Sequence, residues 1–317
     1  MNIVNVAEAV RANPVIAAKS AIALVHDSLP KSAIQNGDDC AAIPEADGSW
    51  LLLAAEGIIP ALLKSDPELA GRSAVLANVN DIYAMGGRPL ALVDVVGTPD
   101  SESLRLILKG MRDNAARFGV PIVGGHLQPY VQESMLAMAI LGRAQKLITS
   151  FDAKAYDILV LVTNMDGLWL EKANYYNCTQ AKHDANLIHN LELLPQAAEK
   201  GLVKSGKDVS NAGIAGTLLM LCECSKVGCI LECDAIPSPK AELTDENLAK
   251  WLTAFFSYGF ILALKEKDLA DFAKPFLDLG LICTKIGKFI PERKVFLKYA
   301  ASKTVLRDLE NDPLLGW

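Results

Sequence analysis

No apolar run in this sequence approaches the roughly 20 residues that a membrane-spanning helix needs. The longest unbroken one, Met135 to Leu141, is short enough to read as a strand, so no membrane partner is expected. The opening residues Met1-Asn2-Ile3-Val4-Asn5 lack a basic start and a continuous apolar core, so no signal peptide is expected and the chain should be cytoplasmic. A Lys/Arg block is also missing: 31 basic and 37 acidic residues leave a net charge of −6 and a pI near 5.4. That balance argues against a double-stranded nucleic-acid partner. It leaves room for a phosphorylated small molecule, because a metal ion or a helix N-terminus can supply local positive charge.

Paired cysteines are not expected either, since seven is an odd number and a reducing compartment disfavours disulfides. Cys222, Cys224, Cys229 and Cys233 cluster as C-x-C-x4-C-x3-C, which is not a common zinc spacing. Cys222 and Cys224 fall in a helical pattern, where residues two apart point to different faces. Small buried hydrophobes are the simpler reading of these thiols.

What is present is apolar substance and scattered acid. Hydrophobic residues make up 51% of the 317, enough for a sizeable core, and the length suggests two domains. The pattern runs from an amphipathic stretch at Val4 to Arg11, through a loop to Gly37, to a strand at Trp50 to Ala55. It predicts a helix over Pro67 to Met85 stopped by Gly86-Gly87, a strand Leu90 to Gly97, and a helix from an N-cap at Ser101 to Phe118. A polar connection near Gly142-Arg143-Ala144 precedes a fresh strand at Asp157 to Thr163, giving domains 1–147 and 148–317. The second half alternates likewise: helices Asn186 to Gly201, Ala212 to Ser225, Thr244 to Phe256 and Lys267 to Leu279, with strands at Val209, Gly228 to Cys233, Gly259 to Leu264 and Ile282 to Phe289. The fold class is α/β.

Gly37-Asp38-Asp39 places adjacent carboxylates after a glycine, and Glu56, Asp81 and Asp208 follow. Unit negative charges ~4 Å apart repel by about 4 kcal/mol at a surface-like dielectric, so a cation between them is a natural complement. A solvated Gly-Asp-Asp turn is the plain alternative. Asn78 and Asp81 share a helix face whose flanks are apolar almost all round, and an Asp near a helix C-terminus opposes the dipole. A buried carboxylate must be paired, which favours a site there. Gly124-Gly125-His126 directly after a strand offers close backbone approach or an ordinary turn. Ser210 or Asn211 reads as the N-cap of the helix after Asp208, which either caps only or faces an anion.

In this order the motifs resemble the superfamily of aminoimidazole ribonucleotide (AIR) synthetase, thiamine-monophosphate kinase, selenophosphate synthetase and hydrogenase maturation factor E. Gly37-Asp38-Asp39-Cys40-Ala41 resembles its G-D-D-A-A element, and Asn78 to Pro89 its N-x-x-D-I-x-A-M-G-x-x-P signature. Gly124-Gly125-His126, Leu141-Gly142-Arg143-Ala144, Asp208-Val209-Ser210-Asn211-Ala212-Gly213 and Tyr258 to Ala263 resemble further elements in sequence order. The resemblance implies a PurM-like two-domain fold whose N-terminal domain pairs with a second subunit into a β-barrel, giving a homodimer. It implies ATP and Mg2+ as cofactors and a small-molecule substrate. Asp38, Asp39, Asp81 and Asp208 would then be metal or phosphate residues, Asp38 and Asp39 catalytic, with Asn78, Gly124, Gly125 and His126 in the nucleotide pocket. The expected activity is an ATP-dependent phosphotransferase or synthetase, with a non-catalytic nucleotide binder as the alternative.

The departures narrow the reading. Leu53-Ala54-Ala55-Glu56-Gly57 keeps the Glu-Gly of the thiamine-monophosphate kinase pattern and lacks its Asp and His-Phe. The absence of Cys before Cys40 separates the chain from selenophosphate synthetase. What remains is most similar to the AIR-synthetase-related branch, with an acceptor pocket expected around Glu56 to Leu63 and Gly167 to Asn177.

Overall fold

The computed structural model describes residues 1–28, 34–129, 131–171, 173–179, 186–240 and 243–316. Part of the loop before Gly37 and one residue of the expected 167–177 pocket segment lie outside them. Three helices open the chain, α1 (Ile3–Arg11), α2 (Pro14–Ala18) and α3 (Ile22–Ser28), where a plain loop was expected beyond the first. There follow β1 (Ala41–Pro44), β2 (Trp50–Gly57), α4 (Pro60–Ser65), α5 (Pro67–Ala84), β3 (Gly87–Gly97), α6 (Ser101–Phe118), β4 (Ile122–Leu127) and β5 (Met135–Ala144). The second half holds β6 (Ile158–Thr163), β7 (Leu168–Leu170), β8 (Tyr175–Asn177), α7 (Leu187–Glu199), β9 (Ser205–Asp208), α8 (Gly213–Cys224) and β10 (Gly228–Glu232). It closes with α9 (Asp245–Leu252), β11 (Phe255–Phe256), β12 (Gly259–Leu264), α10 (Leu269–Asp278), β13 (Ile282–Ile290), β14 (Lys294–Tyr299) and β15 (Ser302–Asp308).

The chain divides into two compact units, neither of them one continuous stretch. One comprises residues 39–147 and 183–199, the other 1–38, 148–182 and 200–317. The first unit is built on an open sheet in the order β1-β2-β5-β3-β4, antiparallel throughout except for β3 beside β4. Strand alternation gives this sheet two unlike faces. Leu52, Leu92, Val96, Met138 and Ile140 are buried on the side where α5 and α6 pack. Leu53, Val93, Val95 and Leu141 point the other way and remain exposed, Leu53 by 47% and Val93 by 43%.

Helix α5 starts where Asp66 accepts the Leu69 amide at 2.9 Å, with Pro67 in the first turn, and it ends at Met85 before Gly86 at φ +73°. It crosses α6 backbone to backbone. A Cβ on Gly71 would strike the Ile107 carbonyl, and one on Gly110 would strike the Glu68 carbonyl. Helix α7 packs beside α5, and its Glu192 and Glu199 accept from Arg88 at 2.8 and 2.5 Å.

The second unit carries a sheet in the order β15-β14-β10-β13-β6-β12-β9, with only β10 and β14 parallel. Every residue of β6 and β12 is buried. Helix α8 packs on β9, β10 and β12, while α1 packs on β14, β15 and α9, which is why residues 1–38 group with the later chain. A small sheet, β11-β8-β7, holds the aromatic cluster of Trp169, Tyr176, Trp251 and Phe256.

Several local expectations change. Asp100, not Ser101, caps α6, accepting the Ser103 amide at 2.7 Å. Neither Ser210 nor Asn211 caps α8: Ala212 stands there in the left-handed region at φ +78° with no side-chain cap. Gly124-Gly125-His126 lies within β4 rather than in a turn after it. All seven cysteines are buried free thiols. Burial pushes the thiols of Cys222 and Cys233 up, that of Cys233 to about 12, as expected of inert packing groups.

Candidate functional site

In the first unit the last two turns of α5 carry Asn78, Asn80 and Asp81, all buried, with apolar Val75, Leu76, Val79 and Ile82 buried beside them in the helix. Asn78 donates through Nδ2 to the Ala74 carbonyl at 2.8 Å, which fixes its side chain. Its Oδ1 is buried with no hydrogen-bond donor among the described residues. An acceptor left that way costs about 1–3 kcal/mol unless a ligand, ion or water meets it. Asp81 sits in the final turn, against the helix dipole.

Asp39 enters this unit just ahead of β1 and is half-buried. One carboxylate oxygen of Asp39 and one of Asp81 lie within 4.8 Å of each other. At a dielectric near 20 two ionised carboxylates at that separation repel by about 3 kcal/mol. A hard divalent cation offsets this and takes oxygen ligands of the kind that Asp39, Asp81 and Asn78 Oδ1 present. The donor set therefore fits Mg2+.

In the second unit Asp208 closes β9, is buried, and precedes the turn into α8. That turn is pinned by backbone bonds, Val209 N–H to the Gly259 carbonyl at 2.8 Å and Gly213 N–H to the Ser210 carbonyl at 2.9 Å. Asp38 belongs to this unit and faces Ser150. The Ser150 amide donates to both Asp38 oxygens at 3.1 and 3.0 Å, and the Ser150 hydroxyl donates to Oδ1 at 2.6 Å. Lys207 Nζ in turn donates to Ser150 Oγ at 3.1 Å. Asp38 and Asp39, adjacent in sequence, thus face different neighbours.

On β4, His126 is exposed with its Nε2 3.3 Å from Gln128 Oε1. Gly125 lacks a side chain for a local reason, since a Cβ there would press on the Asp94 side chain of the adjoining strand. Burial raises the Asp94 carboxyl above the usual range. The motif residues therefore divide into Asp39, Asn78 and Asp81 gathered at the end of α5, Asp208 and Asp38 in the other unit, and Gly124, Gly125 and His126 along β4. Sequence reading passed over Ser150 and Lys207. Lys207 adjoins Asp208 and could have been noticed, whereas nothing local marks Ser150.

Models of the AIR synthase related protein family match the chain twice, its N-terminal domain over residues 37–144 and its C-terminal domain over residues 164–300. The chain belongs to the AIR synthase related family. An uncharacterized protein of Synechocystis is 44% identical over 286 residues, covering 90% of this chain and 87% of the relative. The thiamine-monophosphate kinase of Pyrococcus horikoshii is 28% identical over 89% of both chains. Among solved structures, T. maritima PurL complexed with ATP superposes with a TM-score of 0.71 at 18% identity, covering 86% of this chain and 46% of PurL. The chain thus spans about half the length of that neighbour, and the likeness shows the fold. One relative is thus a thiamine-monophosphate kinase, and the PurL neighbour was solved in complex with ATP. No helix among the described residues is long and apolar enough to cross a membrane.

Proposed function

We propose that this member of the family binds ATP with Mg2+ and acts as a phosphotransferase or ATP-driven synthetase on a small molecule, as a homodimer. The observation that carries the reading is the Asp39–Asp81 carboxylate pair, with the Asn78 oxygen, which has no donor among the described residues, about one helical turn before Asp81 on α5. It lies in a chain whose relatives include a kinase and an ATP complex. Asp39 and Asp81 are the proposed metal ligands in the first unit, and the match of motif adds Asp208. Bound magnesium supplies charge neutralisation for the phosphates. The chain's own residues then hold the nucleotide in place: Asn78 orients an oxygen ligand, and Gly124, Gly125 and His126 are proposed at the pocket by motif.

Phosphoryl transfer is served mostly by positioning and charge neutralisation, which a preformed carboxylate set provides. Retention of Asp38, Asp39 and Asp81 favours catalysis over a degenerate binder, whereas the missing acidic residue at Ala54-Ala55 is the feature that would favour the binder. The homodimer rests on the exposed apolar face of the five-stranded sheet, where Leu53, Val93, Val95 and Leu141 lack cover within the chain. Apolar strand faces of this kind are normally packed against another layer.

The reading is tested by thermal unfolding with ATP in Mg2+ and in EDTA. The midpoint should rise with Mg·ATP and return to the ligand-free value in EDTA, following the mass-action dependence on ligand concentration. Equal midpoints in all conditions at millimolar nucleotide would remove it.

A further inference from the structure

We infer that Asp38 is the anchor of the loop that delivers Asp39 rather than a metal ligand, and that Ser150 and Lys207 are the positioning residues that hold it. The inference deepens the Mg·ATP reading and rests on it for the role of Asp39. Asp38 accepts from Ser150 twice over, a bifurcated bond from its amide to both carboxylate oxygens and a second bond from its hydroxyl, at 2.6 to 3.1 Å. Hydrogen bonds to an ionised acceptor are the strong kind. Ser150 is fully buried and Lys207 only 4% exposed, so this network is screened little by water.

A buried ammonium needs an anion near it. Lys207 donates to the Ser150 hydroxyl, and that hydroxyl passes its own proton toward Asp38, so one polarised chain links cation to carboxylate. The serine fixes where Asp38 points, and the Lys207 ammonium holds the serine hydroxyl in place. Lys207 and Asp208 are neighbours on a strand, where successive side chains point to opposite faces, so Lys207 does this without competing for the place of Asp208.

The location gives the network its purpose. The chain leaves one compact unit for the other immediately after Asp38, and it returns between residues 147 and 148, two residues before Ser150. The bond therefore ties the outgoing and returning segments together beside both crossings. A second tether holds the preceding residue, where Cys224 Sγ donates to the Gly37 carbonyl at 3.5 Å. With Asp38 fixed, the peptide after it has few conformations left, and Asp39 is ordered before any ligand arrives. Such preorganisation raises affinity by lowering the ordering cost of binding.

Two measurements on the full chain decide the matter, amide hydrogen exchange of residues 37–40 without nucleotide and calorimetric titration with Mg·ATP. The variants are S150A, K207M, K207R and D38A, with D39N as the ligand control. The account expects S150A, K207M and D38A to lose protection at 37–40 alike and to weaken Mg·ATP about tenfold, a shift well resolved by titration. K207R should restore both readouts. D38A/K207M should be no weaker than either single variant, since coupled positions are non-additive, whereas D39N should lose far more than tenfold.

S150A is the mildest change and keeps the test open if K207M fails to fold. Loss in D38A equal to that in D39N, with S150A and K207R indistinguishable from wild type, would show Asp38 to be a ligand and overturn the inference. If the wild type binds no Mg·ATP, the proposed function falls while exchange still decides the anchor: unchanged protection in S150A rejects it.

Discussion

The two units solve the burial problem differently. In the unit of residues 1–38, 148–182 and 200–317, strands β6 and β12 are covered at every residue, and a buried carboxyl side chain is met by backbone donors. Glu223 of α8 is wholly buried and accepts the amides of Leu314, Leu315 and Gly316 at 2.6, 3.0 and 2.8 Å. In the unit of residues 39–147 and 183–199, one sheet face is apolar and open, and the Asn78 oxygen is buried without a donor among the described residues. The first arrangement covers its two central strands and meets the Glu223 carboxylate from its own backbone. The second leaves an apolar sheet face uncovered, and an exposed apolar face of that kind marks a surface that another layer would complete.

The largest effect that could break this contrast is at Glu223. Removing its carboxylate in E223A leaves the two buried amides of Leu314 and Leu315 and the part-buried amide of Gly316 without their acceptor, and urea denaturation should show a loss of about 3 kcal/mol or more. A loss below about 1 kcal/mol would mean that the second unit does not depend on this internal satisfaction. The open sheet face should behave in the opposite way. L53K and V95K should cost the protomer fold less than about 1 kcal/mol while halving the molar mass seen by light scattering. Wild type and variant of the same mass would leave that face without its proposed occupant.

The smallest effect lies at a surface pair of the unit that holds Glu223. Asp308 is drawn down to about 2 by hydrogen bonds from Lys294 and Asn311. Its folded value is depressed from an ordinary 3.8, so its stabilisation is fully present above about pH 4 and is lost as pH falls toward 2. The unfolding midpoints of wild type and D308N should differ slightly at pH 6 and converge by pH 2. A difference constant across that range would rule the linkage out.

What could be read from the sequence was what depends on local pattern. Helix α5 was legible because apolar spacing, Pro67 and Gly86-Gly87 all agree, and β12 was legible as an unbroken apolar run between turn residues. The short strands β7, β8 and β11 were not, being two or three residues long and defined by their partners. Gly124-Gly125 reads as a turn by composition, yet both lie in a strand, and Gly125 is glycine there because its neighbour Asp94 leaves no room for a side chain. The acidic residues of the site were legible through motif. The division of labour between Asp38 and Asp39 was not, because it depends on Ser150 and Lys207, which lie more than a hundred residues away.

The most direct measurement is a calorimetric titration of Mg·ATP into wild type, D39N and D81N. The account predicts saturable binding to wild type that requires Mg2+, and a loss of at least about a hundredfold in each variant with the fold intact. Wild-type affinity retained in both D39N and D81N would contradict it.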